Sequence, residues 1–280
     1  MFVFQDKHRL QMHLKTIGKG EQIGLVPTMG ALHQGHAALI KTAIYQNDVV
    51  VVSIFVNPTQ FNNPQDLLKY PKTLEKDIDL LQNLSENIVL FHPEVSEIYN
   101  DEVMATTYNF DGLDEVMEGT FRKNHFNGVG TIVEKLFRLI QPHKAYFGEK
   151  DFQQLKIIQK MVALRQLPTQ VIGCPIVRER SGLAMSSRNQ RLSKEDKDEA
   201  AFIYRILCEA KEKFSTESAS EVIDWVTRAF QTKPKLQLEY IEIRDEATLA
   251  PCRRKHKTKK YRVFIAVYVA DVRLIDNIAL

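Results

Sequence analysis

Ile23-Gly24-Leu25-Val26-Pro27-Thr28-Met29-Gly30-Ala31-Leu32-His33-Gln34-Gly35-His36 runs from an apolar segment through a glycine-bearing turn into two histidines. Ile23–Thr28 reads as a buried strand and about Gly35–Gln46 as a helix, so the stretch is a strand-to-helix turn. The same grammar extends outward. Val49–Val56 is continuously apolar, as a strand covered on both faces is. Leu74–Leu84 reads as a helix, Ile88–Phe91 as a strand, Val129–Leu139 as a helix, Lys144–Phe147 as a short strand, Asp151–Arg165 as a helix and Gln170–Cys174 as a strand. Such alternation implies right-handed crossovers and predicts an α/β fold. The expected form is a Rossmann-like, doubly wound parallel sheet with helices on both faces and ligands at the carboxyl ends of its strands.

Beyond Cys174-Pro175 the order changes to helices followed by strands. Ser193 with Asp196 predicts an N-cap that opens a long amphipathic helix over about Lys194–Phe214. A second helix is expected at about Ala219–Phe230, then strands at Leu238–Ile243 and Tyr261–Val269. The expected division is therefore a Rossmann-like domain over 1–174 and a smaller α+β domain over 175–280.

Composition narrows the function classes. With 44% hydrophobic and 26% charged residues the chain is globular rather than disordered. Cys174, Cys208 and Cys252 are scattered and odd in number, without a CxxC pair, so neither a disulfide framework nor a zinc site is expected. Met1–Leu14 does not read as a secretory signal, and Val49–Val56 is too short to span a bilayer. A cytoplasmic protein without a membrane partner is expected. Arg253, Arg254, Lys255, Lys257, Lys259 and Lys260 hold six of the 38 basic residues; outside that run the 35 acidic residues outnumber the remaining basic ones. The run lies between two expected strands and lacks interleaved aromatics, which favours a solvated turn over a nucleic-acid patch.

Three segments could carry chemistry. At the first, a helix start offers unpaired N–H groups and a positive dipole end, which attract phosphate. His33 and His36, three apart, can face one anion and donate to an oxygen that gains charge. This is the HxGH signature of adenylyl- and cytidylyltransferases; no GxxxxGK[ST] loop is present. The second is Gly148-Glu149-Lys150-Asp151, again between strand and helix, where Lys150 could neutralise phosphate and Asp151 could accept from ribose hydroxyls; a solvated cap is the alternative. The third is Met185-Ser186-Ser187-Arg188-Asn189, whose hydroxyls and guanidinium suit β- and γ-phosphates, the alternative being a polar linker. Gln60, in Asn57-Pro58-Thr59-Gln60-Phe61, and Gln154, one turn into a helix, could together hold a hydroxyl-bearing carboxylate. Asn62–Thr73, polar and punctuated by Pro64 and Pro71, is a candidate lid.

PTMGALHQGH, SIFVNPTQF, YPKTLEKD, the HFNGV around Phe126, YFGEKDFQQL and GLAMSSRN, with Arg273-Leu274-Ile275-Asp276-Asn277 near the end, together resemble the pantothenate synthetase family in register over most of the chain. The resemblance implies ATP-dependent condensation of (R)-pantoate with β-alanine to pantothenate, AMP and pyrophosphate, through a pantoyl adenylate. It implies Mg²⁺ as cofactor, coenzyme A biosynthesis as the pathway and a homodimer as the assembly. By motif, Met29, Gly30, Ala31, Leu32, His33, Gln34, Gly35 and His36 would line the ATP site, with Gly148, Glu149, Lys150, Asp151, Val177, Met185, Ser186, Ser187 and Arg188. Among these, His36, His33, Lys150, Ser186 and Arg188 would be catalytic, with His36 the proton donor. Gln60 and Gln154 would grip pantoate and Gln60 would also face β-alanine, while no protein side chain is assigned as a metal ligand. The 175–280 domain would close over the nucleotide. The chain departs from the family at Arg122-Lys123-Asn124-His125-Phe126, where Arg-Pro-Gly-His-Phe is usual, and at Ala270-Asp271-Val272, where a glycine-containing turn is usual. HxGH alone also fits a nucleotidyltransferase that keeps the nucleotide in its product, and the basic run alone a nucleic-acid binder; the two glutamines and the whole-chain resemblance favour the ligase.

Overall fold

A computed structural model describes residues 1–100 and 102–280, which form two compact units. The first comprises Met1–Glu149 and Gln153–Pro175, the second Lys150–Phe152 and Ile176–Leu280. Three residues expected within the first domain, Lys150–Phe152, thus cluster with the second.

In the first unit the chain runs β1 (Phe2–Phe4), α1 (Lys7–Leu14), β2 (Ile23–Thr28), α2 (Gln34–Gln46), β3 (Val49–Ile54), α3 (Pro64–Leu68), α4 (Leu74–Leu84) and β4 (Ile88–Phe91). It continues through α5 (Val95–Tyr99), α6 (Glu118–Phe121), α7 (His125–Ile140), β5 (Lys144–Gly148), α8 (Phe152–Arg165) and β6 (Gln170–Cys174). The sheet order is β1-β4-β3-β2-β5-β6 and every pair is parallel. Alternate residues explain why both faces are covered. Val26, Val50, Val52, Ile88 and Leu90 pack with Ile40 and Ala43 of α2 and Leu81 of α4. On the other side Phe147 meets Phe137 of α7 with ring centroids 6.5 Å apart. The order reverses between β2 and β5, so the switch point of the sheet lies where Thr28 and Gly148 end their strands.

The second unit contains α9 (Lys194–Phe214), α10 (Ala219–Gln231) and an antiparallel sheet of β7 (Leu236–Asp245), β8 (Tyr261–Val269) and β9 (Val272–Ala279). Leu207, Val222, Val226 and Phe230 of the helices form one core with Val263, Ile265, Val267 and Leu274 of the strands. Ser193 caps α9 by accepting from the Asp196 amide, as its spacing predicts. Ser218 and Glu221 form a reciprocal capping box on α10. The basic run is an exposed loop between β7 and β8. Among the described residues no helix is long and apolar enough to cross a membrane.

The structure adds β1 and β9 to the expected strands and starts α7 at His125, four residues before the expected helix. It ends β3 at Ile54, where the Phe55 amide makes a last bond to the Thr28 carbonyl at 3.0 Å.

Candidate functional site

The turn after β2 is built by hydrogen bonds from three directions. Thr28 Oγ1 donates to the Ser53 carbonyl (2.8 Å) and accepts from the Gly30 amide (3.1 Å). Gly30 and Ala31 are both left-handed, with φ of 79° and 50°. A side chain at Gly30 would reach Ile54 and Asp77 at 3.0 and 3.1 Å, so glycine answers both conformation and space. The amides of Ala31 and Leu32 donate to the Asp77 carboxylate at 2.9 and 2.7 Å, and the Thr73 hydroxyl to the same carboxylate at 3.2 Å. Asp77, 2% exposed on α4, is therefore the anion that holds this turn.

His33 follows as the N-cap of α2. Its Nδ1 accepts from the Gly35 amide at 3.1 Å, and the Nδ1 of His36 accepts from the His33 amide at 3.3 Å. An imidazole nitrogen that accepts from a backbone N–H carries no proton, so both neutral rings keep theirs on Nε2. The ring centroids lie 4.1 Å apart. The result is two Nε2–H donors at the positive end of a 13-residue helix.

A second set of contacts brings Gln60 to this turn. Pro58–Gln60 form a short 3-10 turn after β3, and Gln60 Nε2 lies 3.0 Å from the Met29 sulfur. Asn57 Nδ2 donates to Gln60 Oε1 and to the Gly128 carbonyl, each at 3.1 Å. Tyr99 donates to Asn57 Oδ1 at 2.6 Å. Burial pushes that phenol up, and its bonds to Thr59 and Asn57 pull it the other way. Gly128 lets α7 come this close, since a Cβ there would sit 2.3 Å from the Thr59 carbonyl. His125 Nδ1 donates to the Gln60 carbonyl at 2.7 Å, joined by Arg122 at 3.4 Å. The departure from the family at Lys123-Asn124 leaves these bonds intact. Asn124 has φ 62°, and asparagine is the non-glycine residue that best tolerates that conformation.

The two glutamines of α8 divide. Gln153 is buried; it accepts from the Glu118 amide and donates to the carbonyls of Leu113 and Val116, pinning the loop before α6. Gln154 is half-buried and its side chain makes no hydrogen bond among the described residues. Gly148 faces open space at the end of β5, beside β2. Cys174, at the end of β6, has its thiol pushed up to about 11 by burial and the charge of Glu149, so it stays protonated at neutral pH and is no nucleophile. The candidate lid carries the short helix α3, with Tyr70 buried and set edge-on to Phe61 at 5.9 Å.

In the second unit Met185 donates its amide to the Val177 carbonyl at 3.0 Å. Ser186 caps the 3-10 turn Ser187–Arg191 by accepting from the Arg188 amide at 3.3 Å. Asn189, buried, donates to Glu179 and to the Ala184 carbonyl. Lys150 and Asp151 pair at 3.8 Å.

The family model described as pantoate-beta-alanine ligase matches residues 2–279. The chain belongs to the pantoate–β-alanine ligase family. It joins pantoate to β-alanine, as that family does. Pantothenate synthetases of Flavobacterium psychrophilum and Christiangramia forsetii are 51% and 53% identical to it over its whole length, and it covers 100% and 99% of theirs. The crystal structure of pantothenate synthetase from Thermus thermophilus superposes with a TM-score of 0.90 at 36% identity, over 99% of each chain. That of the Francisella tularensis ligase, complexed with beta-gamma ATP and beta-alanine, gives 0.83 at 38% identity, over 100% of this chain and 97% of that one.

Sequence reasoning about this ligase overlooked Asp77, Asn57 and Gln153. Asp77 had a signal: it stands four residues before the buried Leu81 on one stripe of α4, where a charge is costly unless bonded. Gln153 had none, since its partners lie 35 to 40 residues away, and the bonds that bury Asn57 come partly from as far as Tyr99 and Gly128.

Proposed function

We propose that the ligase works by adenylating pantoate with ATP, and that Met29–His36, Gly148–Asp151, Val177 and Met185–Arg188 take the nucleotide. The first unit would bind pantoate through Gln60 and Gln154, with Gln60 also serving β-alanine. The second would supply Lys150, Ser186 and Arg188. The observation that carries this reading is the fixed tautomer of the HxGH pair: both histidines offer Nε2–H at a helix start. One pantoate carboxylate oxygen attacks the α-phosphorus in line, the bond to the bridging oxygen breaks and pyrophosphate leaves. His36 and His33 donate to the oxygens that gain charge. The β-alanine amine then attacks the acyl carbon, loses a proton and expels AMP. The Francisella structure, which holds a nucleotide and β-alanine, supports the same substrates here.

Mg²⁺ is proposed to arrive on the nucleotide. Among the described residues no group of three or more His, Cys, Asp or Glu could hold a metal ion, whereas Mg²⁺ keeps to phosphate oxygens and water. Its contribution would be charge neutralisation. Asn62–Thr73 is proposed as the lid that keeps the anhydride from water. A cytoplasmic homodimer in coenzyme A biosynthesis is proposed from family membership alone.

The test is AMP release with each substrate omitted in turn. AMP should accumulate catalytically only with ATP, pantoate and β-alanine together. Turnover without pantoate would overturn the reading in favour of a different adenylyl acceptor.

A further inference from the structure

The RLIDN segment near the chain's end has no part in the chemistry above, yet two of its residues are buried polar groups. Asp276 and Asn277 lie on β9 and are 4% and 1% exposed. Each reaches a different loop of the same unit.

Asp276 receives Arg178 as a fork: Nη1 donates to Oδ2 at 2.6 Å and Nη2 to Oδ1 at 3.0 Å. The same guanidinium donates to the carbonyls of Gly182 (3.1 Å) and Asn277 (3.3 Å) and lies 3.9 Å from the centre of the Tyr204 ring. Arg178 bridges Ala184 in a small antiparallel contact, and Val177 accepts from Met185. Asp276 thereby fixes the hairpin that delivers Met185–Arg188.

Asn277 Oδ1 accepts from Arg262 Nη1 at 2.6 Å. Arginine only donates, so the amide cannot flip, and Nδ2 must face the other way. There it donates to the Lys150 carbonyl at 2.9 Å. Arg262 in turn lies 4.1 Å over Phe152, two residues along. Asn277 thereby fixes Lys150.

We infer that Asp276 and Asn277 are positioning residues for the ligase reaction: adjacent on one strand, they set the two nucleotide loops of the second unit. This rests on the proposal that Lys150 and Met185–Arg188 take ATP.

Asn277→Asp is the sharp variant. It keeps shape and the Arg262 contact but turns an oxygen, not a donor, toward the Lys150 carbonyl. kcat/KM for ATP should fall roughly 10- to 100-fold, the scale of an ångström of misplacement. KM for pantoate should change less than about threefold, and Lys150→Ala should add little to the variant because the two act in series. Arg178→Lys, which keeps charge but loses the fork, should produce the same ATP-selective loss. Asn277→Ser serves if Asn277→Asp does not fold. A lowered melting temperature with unchanged ATP parameters, or equal losses for ATP and pantoate, would make the pair merely structural and end the inference. Lys150→Ala and Arg188→Ala run alongside. If both keep normal ATP parameters, the assignment of these loops to ATP fails and takes this inference with it; if they lose ATP while the Asn277 and Arg178 variants do not, this inference alone fails.

Discussion

In the proposed mechanism the two imidazoles serve as donors because the backbone has decided where their protons sit. His36→Ala removes an Nε2–H donor without touching the core, so turnover should fall roughly 10²- to 10⁴-fold while the melting temperature stays nearly constant. Steady-state rates beside a thermal melt check this, and near-normal turnover would remove His36 from the chemistry. Asp77 acts one step back. In Asp77→Asn an NH₂ group must replace one of two oxygens that accept from Ala31 and Leu32. One buried amide is left unpaired, at a cost of about 1–3 kcal/mol. Both stability and rate per folded molecule should drop, measured by urea unfolding and by activity normalised to folded enzyme. A rate unchanged per folded molecule would make Asp77 a stabilising residue only. The contrast shows what was legible at this scale. His33 and His36 stood out as candidates by type and local spacing, and Gln60 only in the company of the other motifs. Asp77 left only its place on the apolar stripe of α4 as a signal, because the amides it holds, 45 and 46 residues away, cannot be read from local sequence.

Elements with strong periodicity were legible to within a residue or two, as β2, β4, β6, α4 and α9 show. β9 was not: its burial runs inward at Val272, Leu274 and Asp276, and a buried aspartate beside a buried asparagine breaks the alternation that marks a strand. β1 is a three-residue edge strand with two exposed residues, too short to leave a pattern. The turn between β8 and β9 carries a correctable strain. Ala270 has φ 51°, where an L residue costs about 1–2 kcal/mol and glycine costs nothing. Glycine also loosens the unfolded chain by about 0.4–1 kcal/mol. Ala270→Gly should therefore stabilise by a net of about 0.5–1 kcal/mol in urea unfolding, and a net loss would mean the native turn shifts. The basic loop is uneven in a way charge counting misses. Lys255 donates to the carbonyls of Phe214 and Glu217 at the end of α9, while Lys257 is exposed. Lys255→Gln should cost about 1 kcal/mol, through lost bonds and a lost helix-end cation. Lys257→Gln should stay within about 0.5 kcal/mol. Equal effects would mean that the run acts only through its total charge.

For the molecule as a whole, the decisive question is the order of events. In the proposed mechanism the imidazoles of His33 and His36 and the amine of Lys150 serve as donors and positive charge rather than as nucleophiles, and the thiol of Cys174, the one cysteine in the first unit, is held protonated. The adenylyl acceptor is then pantoate itself in the proposed mechanism, which would make the first step complete and reversible before β-alanine takes part. Labelled pyrophosphate should therefore enter ATP when enzyme, Mg²⁺ and pantoate are present. Omitting pantoate should abolish the exchange, and adding His36→Ala enzyme in place of the native should slow it by the same factor as overall turnover if adenylation limits the rate. An enzyme that transferred the nucleotide to its own side chain would exchange label with ATP alone. A concerted ligase would move no label until all three substrates were bound. Exchange that depends on β-alanine would thus overturn the two-step course while leaving the family assignment standing. Exchange without pantoate would require a covalent nucleophile, for which the imidazoles of the HxGH turn and the amine of Lys150 are the groups to replace first.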